Sequence, residues 1–458
     1  MENKKYLSPL QKVAYGTGDL GANFMYTFVS TFILIYMTTV MGMNAAIIGT
    51  LMMVSKILDG ISDVFFGGMI DKTHHRMGKA RPWMFWSTFP LAICEILLFM
   101  VPKASPVIQY GYFLVVYTLL NAVFYTANNI AYSSLTALIT KNPNERVQLG
   151  SIRFIFALIA GIVISSVTIT LTNTFGGGTT GWRAVAIIYS LLLILFNMIA
   201  VLSVKEVPEE EERTVKSETG DKHTLIRNIK LLLRNKFYLI ILAYYIFYYA
   251  MSGITQGIGV FYCTYKLNNP NALGLLSIAS MVPIIIGLIL TPMLVSKFGI
   301  YKVNLVGMII SAVFSIPVVY FGYKANLTML LVFCILKGLG ASPMLGTLNA
   351  VIAEAANYSY NKDGIHLDGT MFSCSSMGIK LGGGIGTAVS GWLLALGGFD
   401  GAAAVQSASA MSMINFMYLV IPLILTVVML LLVANLDVEK ANAEYKMKTQ
   451  NVQPAQTV

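Results

Sequence analysis

The chain has 458 residues, 56% of them hydrophobic and 11% charged, with a mean hydropathy of +0.70 and a formal net charge of +10. A water-soluble domain carries about 25% charged residues, so this composition places the chain in lipid. The basic excess follows membrane topology along the chain, as the loops below show, and no nucleic-acid partner is expected.

A hydrocarbon core about 30 Å thick takes roughly 20 helical residues to cross. Apolar runs of that length lie at residues 13–40, 45–70, 82–102, 108–140, 149–173, 182–204, 237–265, 271–296, 301–322, 327–357, 367–397 and 409–436. Continuous runs, rather than alternating segments of about ten residues, predict helices and exclude a β-barrel. The N-terminal MENKKYLSPLQK is polar and has no apolar signal region, so no cleaved leader is expected.

Of 31 Lys and Arg, 23 fall in the N-terminus, alternate loops and the C-terminus, against four in the other loops, Lys103, Arg183, Lys266 and Lys324. By the positive-inside rule both termini are expected in the cytoplasm, and the expected location is the plasma membrane. The remaining four, Lys56, Arg153, Lys337 and Lys380, sit inside apolar runs. Cys94, Cys263, Cys334 and Cys374 lie far apart in apolar surroundings and read as packing residues.

One charged stretch, 205–235, divides the chain into an N-terminal half (1–204) and a C-terminal half (236–436), with a tail at 437–458. Two halves of six spans around a charged loop have the plan of the major facilitator superfamily, whose halves are repeats about a midplane site. The expected fold class is therefore all-α integral membrane, twelve transmembrane helices in two six-helix halves. GGMIDKTHHRMGKARPW (67–83) after the second span is echoed weakly by VSKFGIYKV (295–303) after the eighth. In the first of these loops, Asp71, Arg76, Lys79 and Arg81 are candidates for a cytoplasmic gate.

An ionisable group in a span costs at least about 2.5 kcal/mol, so each is a functional candidate. Lys56, Asp59 and Asp63 form one stripe of the second span, with the two carboxylates four residues apart and stacked. Such a pair requires a compensating cation, whether Na⁺, H⁺, Lys or Arg, which is the signature of a coupling site; the bland alternative is a permanent salt bridge. Arg153 and Lys380, the latter in the small-residue stretch IKLGGGIG, are the candidate counter-charges. Asp19, between glycines in YGTGDLGAN, joins Lys56 and Lys380 as a charge-pair candidate. Glu95 has no partner evident in sequence, and Lys337, Glu354 and Asp368 also lie in or near spans. Asn128 and Asn129, beside Tyr125, Thr126 and Tyr132, supply the neutral donors, acceptors and aromatic faces suited to a polyhydroxylated solute.

The blocks YGTGDLGANF, KILDGISDVFFGGMIDKTHHRMGKARPW, YTANNIAYSSL, QLGSIRF and DGTMFSCSSMGIKLGGGIG occur in this order. Together they resemble the glycoside-pentoside-hexuronide:cation symporters over nearly the whole chain. The resemblance implies a cation site at Asp59 and Asp63, helped by Ser62 and Thr126, with Lys380 nearby and Arg153 at the sugar site. It also implies that Asn23 and Asn129 take positions that are sugar-binding aspartates in melibiose permease, and that Ser133 replaces a stacking tryptophan. An amide carries no charge, so strong carboxylate bonds to galactosyl hydroxyls are lost, and an anionic glycoside suits a site with fewer acids plus Arg153. Tyr125 and Ser376 are assigned with these residues to the substrate.

The expected activity is symport of a glycoside, pentoside or hexuronide with Na⁺ or H⁺ by alternating access, with Na⁺, if used, at Asp59 and Asp63. The alternative on the same fold is transport of a lipid or lysolipid amphiphile. An enzyme is not expected: His74, His75, His223 and His366 lie in loops or at a helix start, with no nucleophile–base or metal constellation. No cofactor is expected beyond the coupling ion; the expected partners are the solute, the cation and the lipid bilayer, and the expected state is a monomer.

Overall fold

The computed structural model describes residues 5–207, 231–363, 371, 373–403 and 405–452. Glu209, His223, His366 and Asp368 therefore lie outside the described residues. Every regular element among the described residues is helical. In chain order these are α1 (Pro9–Val40), α2 (Ala45–Asp71), α3 (Arg81–Leu98), α4 (Pro106–Leu138), α5 (Pro143–Thr174), α6 (Gly178–Ser203) and α7 (Lys236–Lys266). They are followed by α8 (Ala272–Phe298), α9 (Ile300–Tyr323), α10 (Leu327–Asp363), α11 (Ser373–Leu396), α12 (Ala408–Asn415, Phe416–Val420 and Ile421–Ala434) and α13 (Val438–Val452).

Eleven helices among the described residues are long and apolar enough to cross a membrane. The third predicted span is realised as the 18-residue α3, whose hydropathy is diluted by Trp83, Trp86, Pro90 and Glu95. Helix starts are set by caps rather than by the apolar runs. The Ser8 hydroxyl accepts from the Gln11 N–H while the Gln11 side chain accepts from the Ser8 N–H, so α1 begins at Pro9 and not at 13. Asn142 caps α5 through the Asn144 N–H with Pro143 in the first turn, which starts that helix six residues before the apolar run at 149. Within the tail expected at 437–458, Val438–Val452 forms a helix.

Helices α1, α4, α7 and α12 each contain a π segment: Tyr36–Val40, Leu119–Tyr125, Tyr262–Lys266 and Phe416–Val420. Such widened turns re-aim side chains and recur at functional sites. Leu119–Tyr125 ends directly before Thr126, whose hydroxyl reaches back to the Asn121 carbonyl at 3.0 Å.

The chain forms two compact units, one of Met1–Glu210, Gly253–Ser277 and Gly384–Tyr418, the other of Glu211–Ser252, Ile278–Gly383 and Leu419–Val458. In the first, Phe28, Phe32, Tyr36, Phe99 and Trp182 form an aromatic core, with Phe99 and Trp182 stacked at 6.1 Å and 9°. Glycines let α1 sit close to its neighbours: a Cβ at Gly18 would lie 2.8 Å from the Tyr132 ring, and one at Gly16 would overlap Ile152. The parts of α7, α8 and α11 in this unit pack on the first helices through small and polar residues. Gly49 lies against Gly391, the Trp392 indole donates to Thr50 at 2.8 Å, Ser30 donates to Gln256 at 3.1 Å and Thr170 donates to Asn271 at 3.1 Å. In the second unit, Tyr244, Met308, Met344, Ile352, Cys374 and Met429 form the core. There the Asn304 amide and Thr347 hydroxyl bond reciprocally at 2.7 and 2.9 Å, tying α9 to α10.

The sequence echo after the second and eighth spans has a structural counterpart in each unit. In the first, the Glu206 carboxylate accepts from the backbone N–H groups of Lys79, Ala80 and Arg81 at 2.7, 2.9 and 2.9 Å, capping α3. In the second, Glu439 accepts from Ile300 and Tyr301 at 3.1 and 3.0 Å, capping α9. Each cap is preceded by a glycine with positive φ, Gly78 at 111° and Gly299 at 82°, where a side chain would be strained and would point at the glutamate. A carboxylate at a helix N-terminus meets both the orphan N–H groups and the positive end of the helix dipole.

Candidate functional site

Asp59 is buried, at 8% exposure, near the middle of α2. The Thr126 hydroxyl donates to its Oδ1 at 2.5 Å, so the π segment of α4 presents Thr126 directly to the carboxylate. Ser62 donates to the Asp59 backbone carbonyl at 2.9 Å, not to the carboxylate. Asp63, one turn on, is half-buried. Lys56 places its Nζ 5.2 Å from the centroid of the Tyr26 ring, and Tyr26 stacks on Tyr125 at 5.4 Å and 20°. A side chain at Gly384 of α11 would come within 3.3 Å of the Lys56 Cβ, so the glycine-rich stretch of α11 gives Lys56 its room. Two carboxylates, a hydroxyl and a held ammonium thus gather around one face of α2, a donor set that suits a hard monovalent cation or a proton. Among the described residues, no group of three or more His, Cys, Asp or Glu is placed to hold a metal ion.

Arg153 belongs to a second cluster. Its Nε meets Asp19 Oδ2 at 2.6 Å, its Nη1 donates to Thr136 at 3.0 Å, and its guanidinium lies 4.0 Å above the Tyr132 ring. The Tyr132 hydroxyl donates to the Tyr15 carbonyl at 2.8 Å, and the Tyr15 hydroxyl donates to the Tyr132 carbonyl at 2.6 Å, which locks α1 to α4 beneath the ion pair. Arg153 is therefore the partner of Asp19 rather than a counter-charge for Asp59 and Asp63, and Asp19 pairs with an arginine of α5 rather than with Lys56. The long, planar fork reaches across to α1 because Gly16 and Gly18 bring that helix close.

The other candidates divide. Asn23 donates its amide to the Asp19 carbonyl at 2.8 Å. Asn129 is half-buried, and Ser133, one turn further along α4, is exposed. Asn128, grouped with them from sequence, instead bonds Met84, Ser87 and Thr88 of α3 at 3.0, 3.0 and 3.1 Å, and serves packing. Lys380 and Ser376 lie on α11 in the second unit, where Gly378 packs against Tyr245 and Gly382 against Ile246 of α7. Arg81 donates to the Val201 carbonyl at 3.1 and 3.0 Å and so closes the C-terminus of α6, whereas Asp71 and Arg76 are exposed. Glu95, without an evident partner in sequence, is fully buried and accepts from Ser190 of α6 at 2.8 Å. All four cysteines are free thiols.

Sequence reasoning missed Tyr26, Thr136 and Asn121. Tyr26 stands three residues after Asn23 on α1, and that helical spacing is the one signal that pointed to it.

A family described as MFS/sugar transport protein matches residues 14–440. The chain belongs to that family. The resemblance to the glycoside-pentoside-hexuronide:cation symporters is accordingly shown, and the protein is a membrane transporter rather than an enzyme. It is 31% identical over 420 residues to the isoprimeverose transporter of Lactiplantibacillus pentosus, which covers 90% of this chain and 85% of that one. It is 26% identical over 448 residues to a candidate glycoside/cation symporter of Escherichia coli (strain K12), covering 96% and 94%. The fold matches a mutant form of the nucleoside transporter NupG with a TM-score of 0.65 at 14% identity, covering 92% and 99%, and the D-xylose-proton symporter with 0.60 at 15%, covering 91% and 97%. The fold is that of the major facilitators, and its substrate is a small molecule moved by a multi-pass protein of the bilayer.

Proposed function

We propose that this transporter couples a monovalent cation, Na⁺ or H⁺, bound at Asp59 and Asp63, to uptake of an uncharged glycoside across the plasma membrane, with both termini in the cytoplasm. The observation that carries the coupling is the buried Asp59 carboxylate held by Thr126, beside Asp63 and Lys56 on the same helix face. A carboxylate there is costly without a cation, and a cation that relieves the cost stabilises whichever arrangement binds it best. Coupling is reciprocal, so sugar binding strengthens cation binding by the same factor.

The substrate charge follows from the second cluster. Asp19 at 2.6 Å already compensates Arg153, leaving guanidinium N–H donors without a net positive field. Hydroxyls suit such a site better than a second carboxylate does, which turns the preference from hexuronides to neutral sugars. Asn23, Asn129 and Tyr125 add amide groups and an aromatic face. A relative named as an isoprimeverose transporter supports a saccharide as the class.

Counterflow in proteoliposomes with neutral glycosides and a hexuronide, at varied Na⁺ and pH, tests both parts. Preference for neutral sugars and stimulation by one cation are expected; a hexuronide taken up best, or exchange and accumulation indifferent to both ions, would sink the reading.

A further inference from the structure

We propose that the first unit holds a site for one anionic membrane phospholipid at the junction of α2 and α3. Two cavities meet there and share Thr73, His74 and His75. One, of 690 Å³, has His74, His75, Arg76, Lys79 and Lys205 in its wall; the other, of 470 Å³, is lined by Phe66, Trp83, Trp86, Pro90 and Phe124. A basic chamber and an aromatic chamber joined at a common rim are the two halves of an amphiphile's environment.

The sign of the polar chamber is set by its unspent charges. Glu206, the one acid in its wall, is saturated by three backbone N–H groups, and the Arg81 guanidinium is spent on the Val201 and Met77 carbonyls. Arg76 and Lys205 are exposed and remain to meet a phosphate, beside the exposed imidazoles of His74 and His75, the latter accepting from the Met77 N–H through its Nδ1 at 3.1 Å. The rim is held in place by the Trp83 indole, which donates to the Thr73 hydroxyl at 2.7 Å. Trp86, 64% exposed, carries the apolar chamber outward to the hydrocarbon. Tryptophans favour the membrane–water interface, and basic pockets at that level hold anionic head groups. A free phosphate would fill only the first chamber and an uncharged chain only the second, so the joined pair selects a lipid that carries both.

Trp83 and Trp86 make the site observable in the full-length protein in phosphatidylcholine vesicles. Dibrominated phosphatidylglycerol is expected to quench tryptophan fluorescence at a several-fold lower mole fraction than dibrominated phosphatidylcholine, with the selective part lost in Trp86→Phe. Each basic residue near a membrane surface contributes roughly fivefold to anionic-lipid binding. H75Q/R76Q, and independently K205Q, should therefore reduce the selectivity about fivefold or more. Equal quenching by the two lipids overturns the proposal, as does selectivity unchanged in both basic variants. Millimolar inorganic phosphate that abolishes the selectivity reassigns the chamber to a soluble anion. Selectivity that emerges only after the acidic run 209–212 is neutralised reassigns it to this chain's own carboxylates.

Discussion

The Lys56 ammonium stands 5.2 Å from the Tyr26 ring centroid, and the same ring stacks on Tyr125. Since Tyr125 immediately precedes Thr126, which donates to Asp59, and Asp59 lies three residues after Lys56, the contacts close a loop: Lys56, Tyr26, Tyr125, Thr126, Asp59. The loop joins the residues read as the cation site to an aromatic face read as part of the sugar site, with an amide, Asn23, one turn away on α1.

Tyr26 is accordingly expected to matter to the cation. A cation–π contact contributes about 0.5–2 kcal/mol. Y26A should raise the cation concentration for half-maximal transport by about twofold to thirtyfold, and Y26F should stay near the wild-type value. Cation titrations of sugar uptake measure this directly, and identical curves for Y26A and the unaltered protein would remove Tyr26 from the site.

Asp59→Asn keeps an acceptor for the Thr126 hydroxyl but removes the charge. The variant should exchange sugar across the membrane in counterflow while failing to accumulate it against a gradient. Full accumulation by both D59N and D63N would mean that coupling resides elsewhere.

Asp19 and Arg153 form an ion pair with side chains only 15% and 17% exposed. Removing one partner leaves the other charge buried, at a cost of about 3 kcal/mol or more. D19N and R153Q should each lower the thermal midpoint of the detergent-solubilised protein, and the double variant should lose less than the sum of the two. Strict additivity in this cycle would show that the pair is not coupled.

The glutamate caps predict a graded effect on stability. Charge-assisted hydrogen bonds contribute roughly 1.5–3 kcal/mol. E206Q, which disturbs three of them, should be less stable than E439Q, which disturbs two. G78A should also destabilise, because its φ is 111° and its new methyl would meet Glu206. Thermal unfolding decides the ranking; E206Q as stable as the unaltered protein would contradict it.

At Gly391, an added Cβ would overlap the Ala45 carbonyl and lie 2.8 Å from the Gly49 Cα. Gly391→Leu should prise α11 from α2 and lower uptake by at least tenfold. Reaction of a cysteine placed at Thr50, beside Trp392, should rise in that background, and unchanged labelling would show that the contact is not needed to close this surface.

The sequence by itself determined the solvent, the helical class, the order of the spans and the stripe of Lys56, Asp59 and Asp63. Composition and the 3.6-residue period act locally, within one helix, and so are legible without a structure. Helix starts were less so: the Ser8 and Asn142 caps lie in polar sequence ahead of the apolar runs, and moved α1 and α5 back by several residues. The partner of each charge was decided only by the tertiary structure. Sequence made Arg153 a candidate counter-charge for Asp59 and Asp63, and the close approach of α1 through Gly16 and Gly18 gave it to Asp19. The amides of Asn128 and Asn129 are adjacent in sequence, yet they point about 100° apart on a helix. One is therefore bonded to α3 while its neighbour is left half-buried on another face. Pairing of charges and amides is a property of which helix faces meet, and that information is spread over segments 40 to 134 residues apart.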